Sequence, residues 1–366
     1  MMRHLAPLIS ALLLIAPAVT AQTTGTTRTG NSCPLPDFDY LYASHLDTDS
    51  LRIGVRRHAR PFSYYSENLR EVWSAAPQAP LALRNYTGYM SKICDAVLAD
   101  MRVSAPANST SLSYDDVKVV DLDCAIHWDD LNGTPKPSRL EYLGDKIDIL
   151  CDPATITNAR RHGFILSPPL FLSGMGLINR GAAKIGNRGC PPKPLIGYVR
   201  NTTAALSGIP KVLEANELKS FSDLLRAYVR DQTNTCSTAL STSVVVQSYE
   251  THAKAAEAFC KGEFFYYIGD REIITYNARN IPGCGAEIEG AGQSYSNDRY
   301  AIYGKISHRD GAEIRDLRIA RFFEILSQKV VVSPSLLDTA YESTFYEKPS
   351  RKLESFYWNI RGPRQP

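Results

Sequence analysis

Two adjacent arginines, Arg160 and Arg161, close the stretch "TITNARR" a few residues after the apolar run "KIDIL". A guanidinium is a planar fork of donors that grips a carboxylate through two parallel hydrogen bonds. Thr157 makes a sound N-cap, so Arg160 falls on the first turn of a short helix, where free backbone N–H groups would meet the same anion. If "KIDIL" is a strand, Arg160 stands at the carboxyl end of a sheet, the edge at which open α/β sheets bind ligands. A surface arginine paired with a nearby aspartate is the other reading, and the spacing leaves it open. Bond-making chemistry finds less support. The chain holds no GxSxG elbow, no phosphate-binding glycine loop and no HExxH. His4, His45, His58, His127, His162, His252 and His308 are scattered without metal-ligand spacing, and no cofactor is expected. "GCGAEIEG" at 283–290 lacks the third glycine and the preceding strand of a dinucleotide loop, so it reads as a disulfide-tethered surface loop.

The elements that must position such an arginine alternate along the chain. Strand-like runs occur at 51–55, 117–123, 146–150, 174–180, 194–199, 243–248, 264–269 and 300–305, with helical segments between them. That alternation argues for α/β layers with largely parallel sheets. In the helix after "NYTGY", Met90, Ile93, Cys94, Val97, Leu98 and Met101 fall on one face, which packs on a sheet. In "GAEIRDLRIARFFEILSQ" the spacing buries Ile314, Leu317, Ala320 and Phe323, and leaves Arg315, Arg318 and Arg321 as a solvated stripe.

The first 21 residues combine Arg3 and His4 with an apolar stretch and a small-residue end at Val19 and Ala21. They read as a secretory signal peptide cut near Ala21. Residues 22–50, rich in Thr, Asp and Ser, read as a flexible lead-in. Export favours disulfides for the eight cysteines, which fall as Cys33, Cys94, Cys124, Cys151 and Cys190, Cys236, Cys260, Cys284 on either side of residue 173. The division suggests two self-contained halves, as does a length of 366 residues. A formal charge of +3 with mixed-sign patterning gives no nucleic-acid footprint.

Several segments, in order, resemble the periplasmic solute-binding proteins of family 3, which deliver amino acids to ABC importers. "LRIGVRRHARPFSYY" is similar to the family's first strand and its Pro-Phe-Ser turn, and "NYTGYMSKICDAVLADM" to its Gly-Tyr motif and first helix. "GDKIDILCDPATITNARR" followed by "FILSPPLF" resembles its Gly-x-x-Asp strand and Thr-x-Thr-x-x-Arg element. "PLIGYVRNTT" is similar to the entry to the second lobe, "HAKAAEAFCKGEFFYYIGD" to its last helix and strand, and "YAIYGKISHRDGAEIRD" to the return crossover. The likeness spans roughly residues 50–328.

The resemblance implies a two-lobed type II periplasmic-binding-protein fold, α/β, each lobe a mainly parallel sheet flanked by helices. Residues 51–173 plus 299–366 would form lobe 1 and 174–298 lobe 2, with hinge crossovers near 173 and 298 and each cysteine set bridged within its own lobe. It implies that Arg160 clamps a ligand's α-carboxylate with Thr155 and Thr203, and that Asp270 receives the α-ammonium. Arg57, His252 and Arg139 match positions of glutamate/aspartate binders, which implies a second carboxylate on the ligand. The chain departs from the family at Asp152 and Pro153, over 66–84, and in the tail after Val332. The expected protein is a periplasmic, monomeric non-enzyme that binds an amino acid or dicarboxylate, works with an inner-membrane ABC permease and takes no nucleic acid. Two alternatives remain: a cyclohexadienyl dehydratase-like enzyme, for which Glu263 and Glu272 are the nearest acids, and a ligand-sensing module for a membrane receptor.

Overall fold

The computed structural model describes residues 50–68, 79–103, 112–113, 116–131, 138–180, 196–200, 202–215, 246–285, 288–290, 294–306, 313–332, 335–346 and 348–360, with Cys33 and Gly133. The expected signal peptide, nearly all of the lead-in, most of 66–84, Cys190, Cys236 and the last six residues lie outside these.

Eight strands come first: β1 (Leu51–Val55), β2 (His58–Ala59), β3 (Ser63–Tyr65), β4 (Tyr86–Thr87), β5 (Val117–Asp121), β6 (Ile149–Thr155), β7 (Ile165–Leu166) and β8 (Phe171–Ser173). Then follow β9 (Met175–Arg180), β10 (Ile196–Val199), β11 (Val246–Tyr249), β12 (Tyr266–Asp270), β13 (Ile288–Glu289) and β14 (Asp298–Gly304). One sheet has the order β5-β1-β6-β14-β7, with β8 also on β14, and the other β11-β10-β12-β9-β13. The two orders have the same form. In each, the strands run parallel except the one that has just crossed from the other lobe, β14 or β9, which runs antiparallel to its neighbours. Gly174 joins β8 to β9 where the return crossover passes so closely that a Cβ would sit 2.1 Å from Ser296 O. Only glycine fits that approach.

The described helices are α1 (Tyr89–Val103), α2 (Leu122–Leu131), α3 (Asn158–Arg161), α4 (Ile209–Ala215), α5 (His252–Lys261), α6 (Arg271–Arg279), α7 (Glu313–Val332), α8 (Ser335–Phe345) and α9 (Arg351–Ile360). All six apolar positions named for α1 are buried, and Cys94 bonds Cys151 on β6. In the second half, Cys260 bonds Cys284. Cys33 and Cys124 are disulfide-bonded too.

Helix α7 corrects the sequence reading. Its buried face is Arg315, Arg318, Ile319, Phe322, Phe323, Leu326 and Val330, while Leu317 is 55% exposed. Two arginines of the stripe turn inward because acidic partners meet them: Arg315 lies 3.6 Å from buried Asp148, and Arg318 3.1 Å from half-buried Asp116, while Arg321 stays outside with Glu324. Asp148, in the "GDKID" segment, also accepts from Arg52 N at 2.8 Å, Nε at 3.1 Å and Nη2 at 2.6 Å. A charged residue can thus occupy the otherwise apolar β1 because its fork is met by a carboxylate at the start of the neighbouring strand, whose backbone N–H also bonds Arg52 O at 2.8 Å.

The tail beyond Val332 packs on the first lobe. Tyr341 and Phe345 of α8 stack at 4.3 Å, and both lie parallel to Phe171 at about 6 Å. Phe62 and Tyr89 meet Phe171 edge-on, Tyr300 stacks on it at 6.1 Å, and the Tyr357 hydroxyl of α9 meets that of Tyr89 at 2.8 Å.

Candidate functional site

The carboxyl ends of β1, β5 and β6 bring three arginines and their aspartates to one edge of the first sheet. Asp123, just past β5, accepts from Arg56 Nε at 3.0 Å and from the backbone N–H groups of Arg57 and His58, each at 2.9 Å. Burial pushes this carboxyl up, but Arg56, His58 and these bonds outweigh it and bring Asp123 to about 2. Asp121 accepts from Arg57 Nε at 2.7 Å and from the Tyr86 hydroxyl at 2.6 Å. The Arg57 guanidinium also lies 4.3 Å from the Tyr65 ring centroid. Arg57 is therefore held within the first lobe by a carboxylate and an aromatic face.

Arg139 starts a 3-10 turn, Arg139–Tyr142, that Ser138 caps by accepting from Leu140 N. Its guanidinium contacts the carboxylate of Asp152, whose side chain is wholly buried on β6. Burial, then Arg56 and Arg160, lower Arg139 to about 9, so it remains a cation at neutral pH within the pair. Arg160 has a looser setting. Thr157 caps α3 by accepting from Arg160 N, and Arg160 Nη1 donates to Thr155 O at 2.9 Å. The same carbonyl accepts from the Tyr303 hydroxyl at 2.8 Å. Among the described residues Arg160 forms no ion pair.

The second lobe supplies three of the sequence-derived candidates. Thr203 is half-buried at the N-terminal end of the Ala204–Gly208 turn, beyond β10. His252 begins α5, 2% exposed, with Nδ1 3.0 Å from the Tyr267 hydroxyl. Burial, then the charges of Arg56 and Arg139, lower it to about 3, so its imidazole is neutral. Asp270 ends β12, and its Oδ1 is buried without a hydrogen-bond partner. Burial raises Asp270 to about 6; the Tyr300 hydroxyl and Arg139 act against the rise, and Asp298 and Glu272 add to it. Tyr300 stands close to Asp270 without completing a bond, because its hydroxyl is also without a partner of good geometry.

The two edges face each other. Arg139 on the first lobe lies within electrostatic reach of Asp270 on the second, and His252 within that of Arg56 and Asp123. Asn277 on α6 donates to Arg60 O at 3.2 Å, and Ile273 on α6 is buried in the first lobe's apolar cluster. At the crossover the Ser173 hydroxyl donates to Glu272, which also pairs with Arg271.

The candidates thus fall into groups. Arg139, Arg160, His252 and Asp270 share one electrostatic neighbourhood, with Thr155 beneath Arg160 and Thr203 at a helix start on the opposite lobe. Arg57 is turned to Asp121. Sequence reasoning missed Arg56, Asp123, Tyr300 and Tyr303. The "VVDLD" ending of β5 against "RRH" after β1 was the available signal: acids and bases alternating at the ends of adjacent strands. Glu263, weighed as an acid, is exposed beside Tyr249.

The two strand orders are those of a type II periplasmic-binding-protein fold. No protein-family model and no curated protein sequence matches the chain. It is similar to the solved solute receptor for L-cysteine of Neisseria gonorrhoeae, at 17% identity over 83% of this chain and 93% of that one, TM-score 0.48. It is similar also to the arginine-, lysine-, histidine-binding protein of Geobacillus stearothermophilus, at 14% identity over 82% and 97%, TM-score 0.46. A third is an ancestral amino-acid-binding protein described as a precursor of cyclohexadienyl dehydratase, at 15% identity over 81% and 96%, TM-score 0.43. The strand orders themselves carry the fold assignment.

Proposed function

We propose that this chain is a periplasmic solute-binding protein that captures an amino acid between two closing lobes and hands it to an ABC-type importer. The observation that supports this most is an arginine fork without an ion pair, Arg160, on one lobe edge and a carboxylate on the facing edge, Asp270, whose Oδ1 is buried without a hydrogen-bond partner. An α-amino acid carries the complementary carboxylate and ammonium. On this reading Thr155 and Thr203 add hydroxyl donors to the ligand carboxylate. Hinge closure then brings Thr203 and Asp270 onto a ligand seated on the first lobe. Lobe 1 would comprise 51–173 with 299–366, and lobe 2 would comprise 174–298.

Thermal-shift screening of the purified protein against the amino acids tests the proposal, because a cleft ligand stabilises the folded state by mass action. A shift of several degrees with at least one amino acid is expected, and none with sugars. Turnover of prephenate or arogenate would instead make the protein an enzyme. Against that reading, Glu272 is already bound by Ser173 and Arg271.

The pH dependence of binding follows from Asp270. A ligand ammonium needs the ionised carboxylate, whose value without ligand is about 6. Below that pH, binding must expel a proton, so affinity should fall about tenfold per pH unit between pH 6 and 5 and level off above pH 7. In the ligand-free protein the sign is opposite: folding takes up a proton between the ordinary 3.8 and about 6, so this group costs stability as pH rises through that window. Titration calorimetry at stepped pH measures the first effect, and a flat affinity from pH 5 to 7 would remove Asp270 from the site.

A further inference from the structure

We infer that the amino acid taken by this cleft has an uncharged side chain. The inference rests on the amino-acid reading above and narrows it. What carries it is how the cleft's charges are already matched. Arg56 pairs with Asp123 at 3.0 Å, Arg57 with Asp121 at 2.7 Å, and Arg139 with Asp152 in direct contact. Each pair is at most about a fifth exposed, and the Asp152 side chain is wholly buried. His252, the fourth candidate for holding a second carboxylate, is a neutral imidazole against Tyr267. Among the described residues, Arg160 and Asp270 are a cation and an anion of the facing edges that form no ion pair. One positive and one negative group match the two ends of an α-amino acid, and the other cations of these edges named above are already matched.

Asp152 is the deciding residue. Without it, Arg139 would face the cleft as an unmatched cation and would favour a ligand with a second acid. With it, an acidic side chain approaching Arg139 also meets the Asp152 carboxylate, and a basic one approaching Asp152 also meets Arg139. In either case a charge is buried without net compensation, so both are rejected by design against the wrong partner as much as by fit to the right one. Pro153 adds to this, since it has no N–H to offer an oxyanion at that strand end. The glutamate/aspartate preference implied by Arg57, His252 and Arg139 is replaced on these grounds.

Isothermal titration calorimetry of the purified full chain against the twenty amino acids tests the inference. The tightest ligand should be a neutral amino acid, with Glu, Asp, Lys and Arg at least about 100-fold weaker. Asp152→Asn, which strips Arg139 of its carboxylate, should raise the affinity for Glu or Asp about tenfold or more relative to that neutral ligand. Tightest binding of a charged amino acid by the wild type would overturn the inference and leave the amino-acid reading standing. Failure of all twenty to bind would remove both. An unchanged ratio in folded Asp152→Asn would overturn the role given to Asp152; if that variant does not fold, the wild-type series decides alone.

Discussion

Arg160→Ala is expected to weaken amino-acid binding at least about 100-fold, because it removes a charge-assisted, two-bond contact to the ligand carboxylate. The same change should barely alter the stability of the ligand-free protein. Arg160 sits on a four-residue helix whose other residues are exposed, and its side chain bonds a single carbonyl, Thr155 O. A loss on the order of 1 kcal/mol or less is the expectation for such a position. Titration calorimetry together with thermal unfolding separates the two effects. Unchanged affinity would make Arg160 an ordinary surface arginine, and a collapse of stability would make it a structural one.

Asp148→Ala should behave in the opposite way, unfolding the protein before binding becomes a question. Its carboxylate accepts three bonds from Arg52 and lies 3.6 Å from Arg315, with those side chains 4% and 9% exposed. Removing it leaves two buried guanidinium groups without their anion, at a cost of about 3–5 kcal/mol. That is a large share of a typical domain's margin of about 5–15 kcal/mol. Chemical denaturation of wild type and variant measures it directly; a difference under about 1 kcal/mol would show that water or another side chain takes the role of Asp148.

These two residues also mark where the sequence could and could not be read. Helix α1 was legible because its apolar stripe is local: the six apolar positions named from spacing within fifteen residues are all buried. Helix α7 was not. Its arginines are drawn inward by Asp148 and Asp116, each more than a hundred residues away along the chain, and no helical period contains that information. The candidate site divides in the same way. Arg160 announced itself by its own cap and strand. The engagement of Arg57 depends on Asp121, 64 residues distant, and that of Arg139 on Asp152, which a resemblance carried over motif by motif treats as separate positions. Resemblance names the positions; long-range charge pairing sets what they have left to offer.

The aromatic cluster under the C-terminal helices bears on how this molecule moves. Phe171 and Tyr300 belong to β8 and β14, the two strands that run directly into the passages between lobes; they stack on each other, and α8 rests on Phe171. The pivot is therefore bolted on one side. In the lobe closure proposed above, the change would fall on the few torsions around Gly174 and Ser296, since bending either strand would break a well-packed ring stack. Helices that touch no solute would in this way help set the angle and stiffness of the gape.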